Sequence, residues 1–119
     1  TILKSKKLIL PDDFVIVEEK ILDIGLNTIK LLEPALKKAK LIVWNGPLGY
    51  YEGGYDNSTI ALLKILSSVK GKTIIGGGDT VAIISKLKLE NKFTFVSTGG
   101  GATLEFLANG TLPGIKALN

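Results

Sequence analysis

Short apolar runs alternate with helical patterns along the chain. Leu8 to Leu10 and Phe14 to Val17 have strand length and are split by the turn signal Pro11-Asp12-Asp13. Ile29, Leu32 and Leu36 then share one helical face, in a pattern ending around Lys38 with Pro34 inside it as a kink point. Leu41-Ile42-Val43-Trp44 reads as a fully buried strand and opens into a Gly-rich loop from Asn45 to Gly54. Asp56, Asn57 or Ser58 can cap the next helix, which carries Ile60, Leu63 and Leu66 towards a core. Thr73-Ile74-Ile75 predicts another buried strand, followed by Gly76-Gly77-Gly78 and a helix from Asp79 to about Leu89. Phe93 to Val96 predicts one more strand, then Gly99-Gly100-Gly101 and a last helical turn around Thr103 to Leu107.

Continuous apolar strands interleaved with helices imply an α/β fold, with a parallel sheet covered on both faces. The chain has no internal repeat and no low-complexity linker, so its 119 residues form one unit. Glycine supplies 14 of them, and most of the excess falls just after a predicted strand. Those loops form the carboxyl edge of a parallel sheet, where open α/β folds bind ligands.

Composition removes most chemistries. Without Cys there are no disulfides, thiolate nucleophiles or thiolate metal sites. Without His the commonest general base and every Ser–His triad are gone. All 15 basic residues are Lys, so no bidentate guanidinium clamp is available. What remains is carboxylates, Lys, hydroxyls, backbone amides or a hard metal ion.

The net charge of +4 raises the question of a nucleic-acid partner, and the lysine positions argue against it. Lys37, Lys38 and Lys40 close one helical pattern and Lys86 and Lys88 another, where cations suit the helix dipole. No apolar run approaches the ~20 residues of a membrane span, and no signal peptide opens the sequence. A soluble, cytoplasmic protein is expected, and a first residue other than Met raises the prospect of a fragment.

Three loops could carry chemistry. Ile75-Gly76-Gly77-Gly78-Asp79-Thr80 joins a strand to a helix through glycines, the logic of a phosphate cradle. A divalent cation would reconcile Asp79 with a phosphate; the plainer role for Asp79 is to cap the helix. Trp44-Asn45-Gly46-Pro47-Leu48-Gly49-Tyr50-Tyr51-Glu52 offers an apolar wall for a flat ring and a carboxylate for sugar hydroxyls, or is simply a surface loop. Ser97-Thr98-Gly99-Gly100-Gly101-Ala102-Thr103 presents hydroxyls and amides to a transient anion, or serves as a hinge.

These three stretches, in this order and spacing, resemble phosphoglycerate kinase, as do Leu104-Glu105, Leu112-Pro113-Gly114, Asp23-Ile24-Gly25 and the pattern from Leu10 to Val15. The resemblance covers essentially the whole chain. It implies the C-terminal part of a nucleotide-binding lobe, residues 1–119 being one partial domain. The fold it implies is an incomplete Rossmann-like three-layer αβα sandwich, with a mainly parallel sheet of about four core strands.

The implied reaction is reversible transfer of the acyl phosphate of 1,3-bisphosphoglycerate to ADP, giving 3-phosphoglycerate and ATP, by a cytoplasmic glycolytic monomer. By matching motif, Glu52 holds the ribose, with Asn45, Pro47 and Tyr50 near the base or sugar and Leu22 as a wall residue. Gly77, Gly78, Asp79 and Thr80 hold the phosphates, Asp79 reaching Mg2+. Gly99, Gly100 and Gly101 line the path of the transferred group.

The sequence departs from the family at Ile21, where many members have Gly, at Leu26, commonly Pro, and at Tyr50-Tyr51, commonly aliphatic–Phe. The acceptor lobe is absent, so the isolated chain is expected to lack activity. A non-catalytic nucleotide module and a purely structural fragment are the alternatives.

Overall fold

In the computed structural model, which describes residues 6–109, the chain opens with an antiparallel hairpin of β1 (Phe14–Val17) and β2 (Lys20–Ile24). Helix α1 (Leu26–Lys38) leads to three parallel strands, β3 (Leu41–Asn45), β4 (Lys72–Gly76) and β5 (Phe95–Ser97), paired in the order β3-β4-β5. Helices α2 (Asn57–Leu66) and α3 (Gly78–Lys86) make the two crossovers, and α4 (Gly100–Asn109) follows β5. This is the α/β arrangement that the alternation of apolar runs implied, and it has the Rossmann-like form that the resemblance implied.

The parallel sheet has three strands among the described residues, because Phe14–Val17 pairs outside it and Leu8 to Leu10 is irregular. Its partner β2 is a strand that the apolar pattern does not announce. Glu18 and Glu19 form the two-residue turn between Val17 and Lys20, at φ 48° and 63°. Positive φ at both positions gives the turn the twist that hairpins prefer, a geometry normally filled by Asn-Gly. Two glutamates give no such cue.

Both crossovers advance in the same direction along the sheet, so the right-handed rule puts α2 and α3 on one face. There Leu62, Leu63, Leu66, Ile83 and Ile84 close a core with Ile29, Ile75 and Phe93, and Ile42, Trp44 and Val96 pack against it. Among the described residues the other face is open. Leu41 and Phe95 are each 55% exposed and Val43 43%, so β3 alternates where full burial was expected. Two of the three expected layers are present, and the incompleteness of the fold lies on this face.

Several boundaries move for local reasons. Thr94 N–H donates to Thr73 Oγ1 at 3.1 Å and Thr73 N–H to Thr94 Oγ1 at 3.0 Å. These side-chain bonds replace the backbone ladder there, and β5 starts at Phe95. Helix α3 ends at Lys86, short of Leu89, and α4 begins at Gly100, ahead of Thr103. Helix α1 runs continuously through Pro34. The Leu112-Pro113-Gly114 match lies outside the described residues.

The starts of α1 and α2 are held by aspartates distant in sequence. Asp13 accepts from Thr28 N–H at 2.7 Å, Thr28 Oγ1 at 2.6 Å and Asn27 N–H at 3.1 Å. Buried Asp23 accepts from both the N–H and the hydroxyl of Ser58, so the expectation that Asp56, Asn57 or Ser58 caps α2 is corrected. Asp56 occupies the cap position without making a side-chain bond. Among the described residues, no helix is long and apolar enough to cross a membrane.

Candidate functional site

The carboxyl edge of the sheet is stitched loop to loop. Gly46 N–H donates to the carbonyl of Gly76 at 3.1 Å, and Gly77 N–H to that of Ser97 at 3.2 Å. The loop after each strand is thereby bonded to the end of the next strand. Gly77 sits at φ 99°, ψ 130°, where a side chain is strained. A Cβ there would also stand 3.0 Å from Gly46 N and 3.6 Å from Thr80 Oγ1. Glycine is what lets these loops meet.

Helix α3 starts at this junction. Amides of Gly78, Asp79 and Thr80 lie in its first turn, where N–H groups have no intrahelical acceptor. Thr80 is fully buried, and among the described residues its hydroxyl has no hydrogen-bond partner. Leaving a buried hydroxyl unpaired costs on the order of 1–3 kcal/mol, so an orphan beside free amides marks a place for an acceptor. Asp79 is exposed, and Gly77 holds the cap position, so its carboxylate does not cap the helix. Gly99 N–H donates to Ser97 Oγ at 3.1 Å, and Gly100 and Gly101 form the start of α4 where a hinge was one reading.

The aromatic loop is tied to the hairpin instead. Pairing of β1 with β2 steps from Val15↔Asp23 to Ile16↔Ile21, leaving Leu22 opposite nothing as a bulge. Its carbonyl accepts Tyr50 N–H at 2.8 Å. Tyr50 in turn accepts from Gly53 N–H at 3.2 Å and Tyr55 N–H at 3.0 Å, and Leu48 N–H donates to Thr59 Oγ1 at 2.9 Å. Leu22 and Tyr50 are thus brought together.

Asn45, Gly77, Gly78, Asp79, Thr80 and Gly99 lie along one edge, with half-buried Pro47 just beyond β3. Glu52 stands exposed on the single turn Tyr51–Gly53, with no hydrogen bond or ion pair among the described residues. Ile21 is 62% exposed. The bulge at Leu22, the Asp23–Ser58 contact and the Thr59 hydroxyl were missed by sequence reasoning. Asp23 had a signal, a carboxylate in an apolar run.

Comparison with known proteins bears on the whole of this arrangement. A family model described as phosphoglycerate kinase matches residues 3–110. The chain belongs to the phosphoglycerate kinase family. It is similar to the phosphoglycerate kinase of Borreliella burgdorferi, at 50% identity over 109 residues, covering 90% of this chain and 28% of that protein. It is also similar to that of Staphylococcus aureus, at 44% identity over 117 residues, covering 97% and 30%.

Among solved structures, phosphoglycerate kinase from Coxiella burnetii aligns with a TM-score of 0.71 and 42% identity, over 84% of this chain and 26% of that one. The Pyrococcus horikoshii enzyme aligns with a TM-score of 0.73 and 37% identity, over 83% and 24%. The chain therefore spans less than a third of the length of the phosphoglycerate kinases it matches.

Proposed function

We propose that this chain is the C-terminal part of the nucleotide-binding lobe of a phosphoglycerate kinase. That enzyme would reversibly transfer the acyl phosphate of 1,3-bisphosphoglycerate to ADP, giving 3-phosphoglycerate and ATP. The observation that carries the reading is the buried, unpartnered hydroxyl of Thr80. It lies beside Gly77 at the start of α3, where the first-turn amides have no intrahelical acceptor, and a nucleotide phosphate would supply the acceptor it lacks.

In this reading the amide of Gly78 and the Thr80 hydroxyl line the phosphate cradle, and Gly77, whose N–H is held by the Ser97 carbonyl, lets a phosphate approach the backbone closely. Asp79, exposed and without a partner, fits a magnesium ion held between one carboxylate and phosphate oxygens. Among the described residues no three acidic, His or Cys side chains gather as a metal cage, so the ion would depend on the nucleotide as well. When bound, Mg2+ neutralises charge on the polyphosphate.

Leu22, Pro47 and Tyr50, with Asn45, form the base and sugar wall, and Glu52 accepts from ribose hydroxyls. Gly99, Gly100 and Gly101 would line the path of the moving phosphoryl group, Gly100 and Gly101 with first-turn amides of α4 and Gly99 with its N–H held by Ser97 Oγ. In the transfer, a β-phosphate oxygen of ADP bonds to the acyl phosphorus while the bond to the carboxyl oxygen breaks, releasing a carboxylate. Nucleophile and leaving group are both anions, so no general base is required. A chain without His is suited to that chemistry.

The three loops contain no Lys and the chain no Arg, so charge around the transferred group must come from the rest of the enzyme. For the 119 residues alone we expect no turnover, and at most nucleotide binding. The parent enzyme is read as a cytoplasmic monomer. Calorimetric titration of the intact parent protein tests the site. Asp79→Ala should weaken Mg-ADP about tenfold or more and metal-free ADP by less than about twofold, the asymmetry of a carboxylate that meets the ligand through a metal. Equal loss in both titrations would overturn Asp79 as the metal residue.

A further inference from the structure

At the opposite, amino edge of the sheet, Lys37, Lys38, Ala39, Lys40, Lys70, Gly71 and Lys72 line an open cleft of about 460 Å³. Two Lys-small-Lys tripeptides make most of it, Lys38-Ala39-Lys40 entering β3 and Lys70-Gly71-Lys72 entering β4. They are locked side by side. Lys72 N–H donates to Lys40 carbonyl at 2.9 Å, and Leu41 pairs with Lys72. A Cβ at Gly71 would stand 3.1 Å from the carbonyl carbons of both Ala39 and Lys40. Only a residue without a side chain lets the two strips approach this closely.

The charge here exceeds what helix ends and neighbours absorb. Glu33 holds Lys37 at 2.7 Å, and no other lysine of the cleft has an ion pair among the described residues. The end of α1 contributes about half a negative charge, and counting the end of α2 as well makes about one. Four lysines stand against that. Exposed like charges gathered around one cleft repel where salt is low, and a multivalent anion relieves the repulsion.

The chemistry of the cleft selects the anion. Lysine ammonium groups are point charges suited to phosphate oxygens in any orientation. No aromatic residue lines the cleft to stack a base, and no Arg is present to read one. Lys40 and Lys72 stand at the heads of neighbouring strands, which lie about 4.8 Å apart, with Lys38 at the end of α1 and Lys70 in the bend before β4 on either side. Four lysines spread over two chain segments outreach a single phosphate. We propose that this cleft binds a linear oligophosphate of three or more phosphoryl groups, independently of the nucleotide edge.

The test uses the intact parent protein and inorganic tripolyphosphate, with binding measured by calorimetry at about 0.05 M salt, where screening is weak. The double variant Lys40→Glu, Lys72→Glu should lose about tenfold or more in affinity, and Lys86→Glu, Lys88→Glu less than about twofold, although both change the net charge equally. Orthophosphate should bind far more weakly than tripolyphosphate, and Mg-ADP affinity should be unchanged in the first variant. Equal losses in the two variants would overturn the site as diffuse attraction. Competition by duplex DNA as strong as that of tripolyphosphate would overturn the ligand class. Circular dichroism of each variant establishes that the fold is retained.

Discussion

Asp23 on the hairpin and Ser58 at the start of α2 form one buried unit, the carboxylate accepting from both the Ser58 hydroxyl and, at 3.2 Å, its N–H. Asp23 also accepts from its own neighbour Ile24 N–H at 2.8 Å. A Cβ on Gly49 would stand 2.6 Å from Asp23 Oδ1, so the aromatic loop rests on the same carboxylate. One side chain therefore joins the hairpin, a helix start and the loop that carries Tyr50 and Glu52.

Asp23→Ala should destabilise the parent protein by about 2–4 kcal/mol, because the Ser58 donors are left buried without an acceptor. Asp23→Asn keeps one oxygen and should lose less. Urea unfolding followed by circular dichroism measures both. Equal stability of wild type and Asp23→Ala would show that water replaces the carboxylate at no cost.

The hairpin turn can be improved. Glu18→Asn with Glu19→Gly supplies the residues that tolerate φ of 48° and 63°. Stability should rise by about 1 kcal/mol or more, the cost of holding ordinary residues left-handed. A fall in the thermal midpoint of the double variant would contradict the turn geometry.

Asp13 carries a pH signature. The hydroxyl of Thr28 has the largest effect on it, burial opposes that as the next largest, and the N–H groups of Thr28 and Asn27 add to the hydroxyl, so that its carboxyl is held below the usual carboxylate value. A depressed carboxylate stabilises the fold above its unfolded pKa of about 3.9, and that contribution disappears as pH falls through the lower, folded value. The start of α1 should loosen in that acid window, seen as faster exchange of the Asn27 and Thr28 amides. Asp13→Asn should remove this pH dependence; exchange that still accelerates to the same extent would assign it to another group.

Gly77→Ala should cost about 1–3 kcal/mol of stability, since alanine is strained at φ 99° and meets Gly46 N at 3.0 Å. By spreading the first two loops it should also weaken nucleotide binding. Denaturant unfolding and calorimetry of the same variant separate the two effects. Unchanged nucleotide affinity would detach this junction from the proposed phosphate cradle.

The residues that sequence reasoning reached share a property: their role is written within a few positions of themselves. The apolar runs Leu41 to Trp44 and Thr73 to Ile75 and the glycines behind them placed the parallel strands and their carboxyl edge correctly. What escaped depends on partners far along the chain. Nothing near Leu22 says that the ladder skips it, or that its carbonyl meets Tyr50. The caps on α1 and α2 come from Asp13 and Asp23, while the local candidate Asp56 makes no cap bond. The exposed face of β3 was misread because an all-apolar strand looks the same whether one side or both are covered. The two glutamates of the hairpin turn hid β2 by violating the usual turn chemistry.

The consecutive order β3-β4-β5 has a consequence for how the sheet is made. β4 pairs with β3 and β5 with β4, in each case the strand synthesised immediately before it, with a single crossover α-helix between them. Among the described strands of this sheet, none waits for a later one to be inserted between it and its neighbour, as happens in sheets whose order doubles back. Loop closure is short at every step, which favours early pairing. This part of the sheet can be laid down strand by strand as the chain leaves the ribosome, with β4 finding β3 before β5 has emerged.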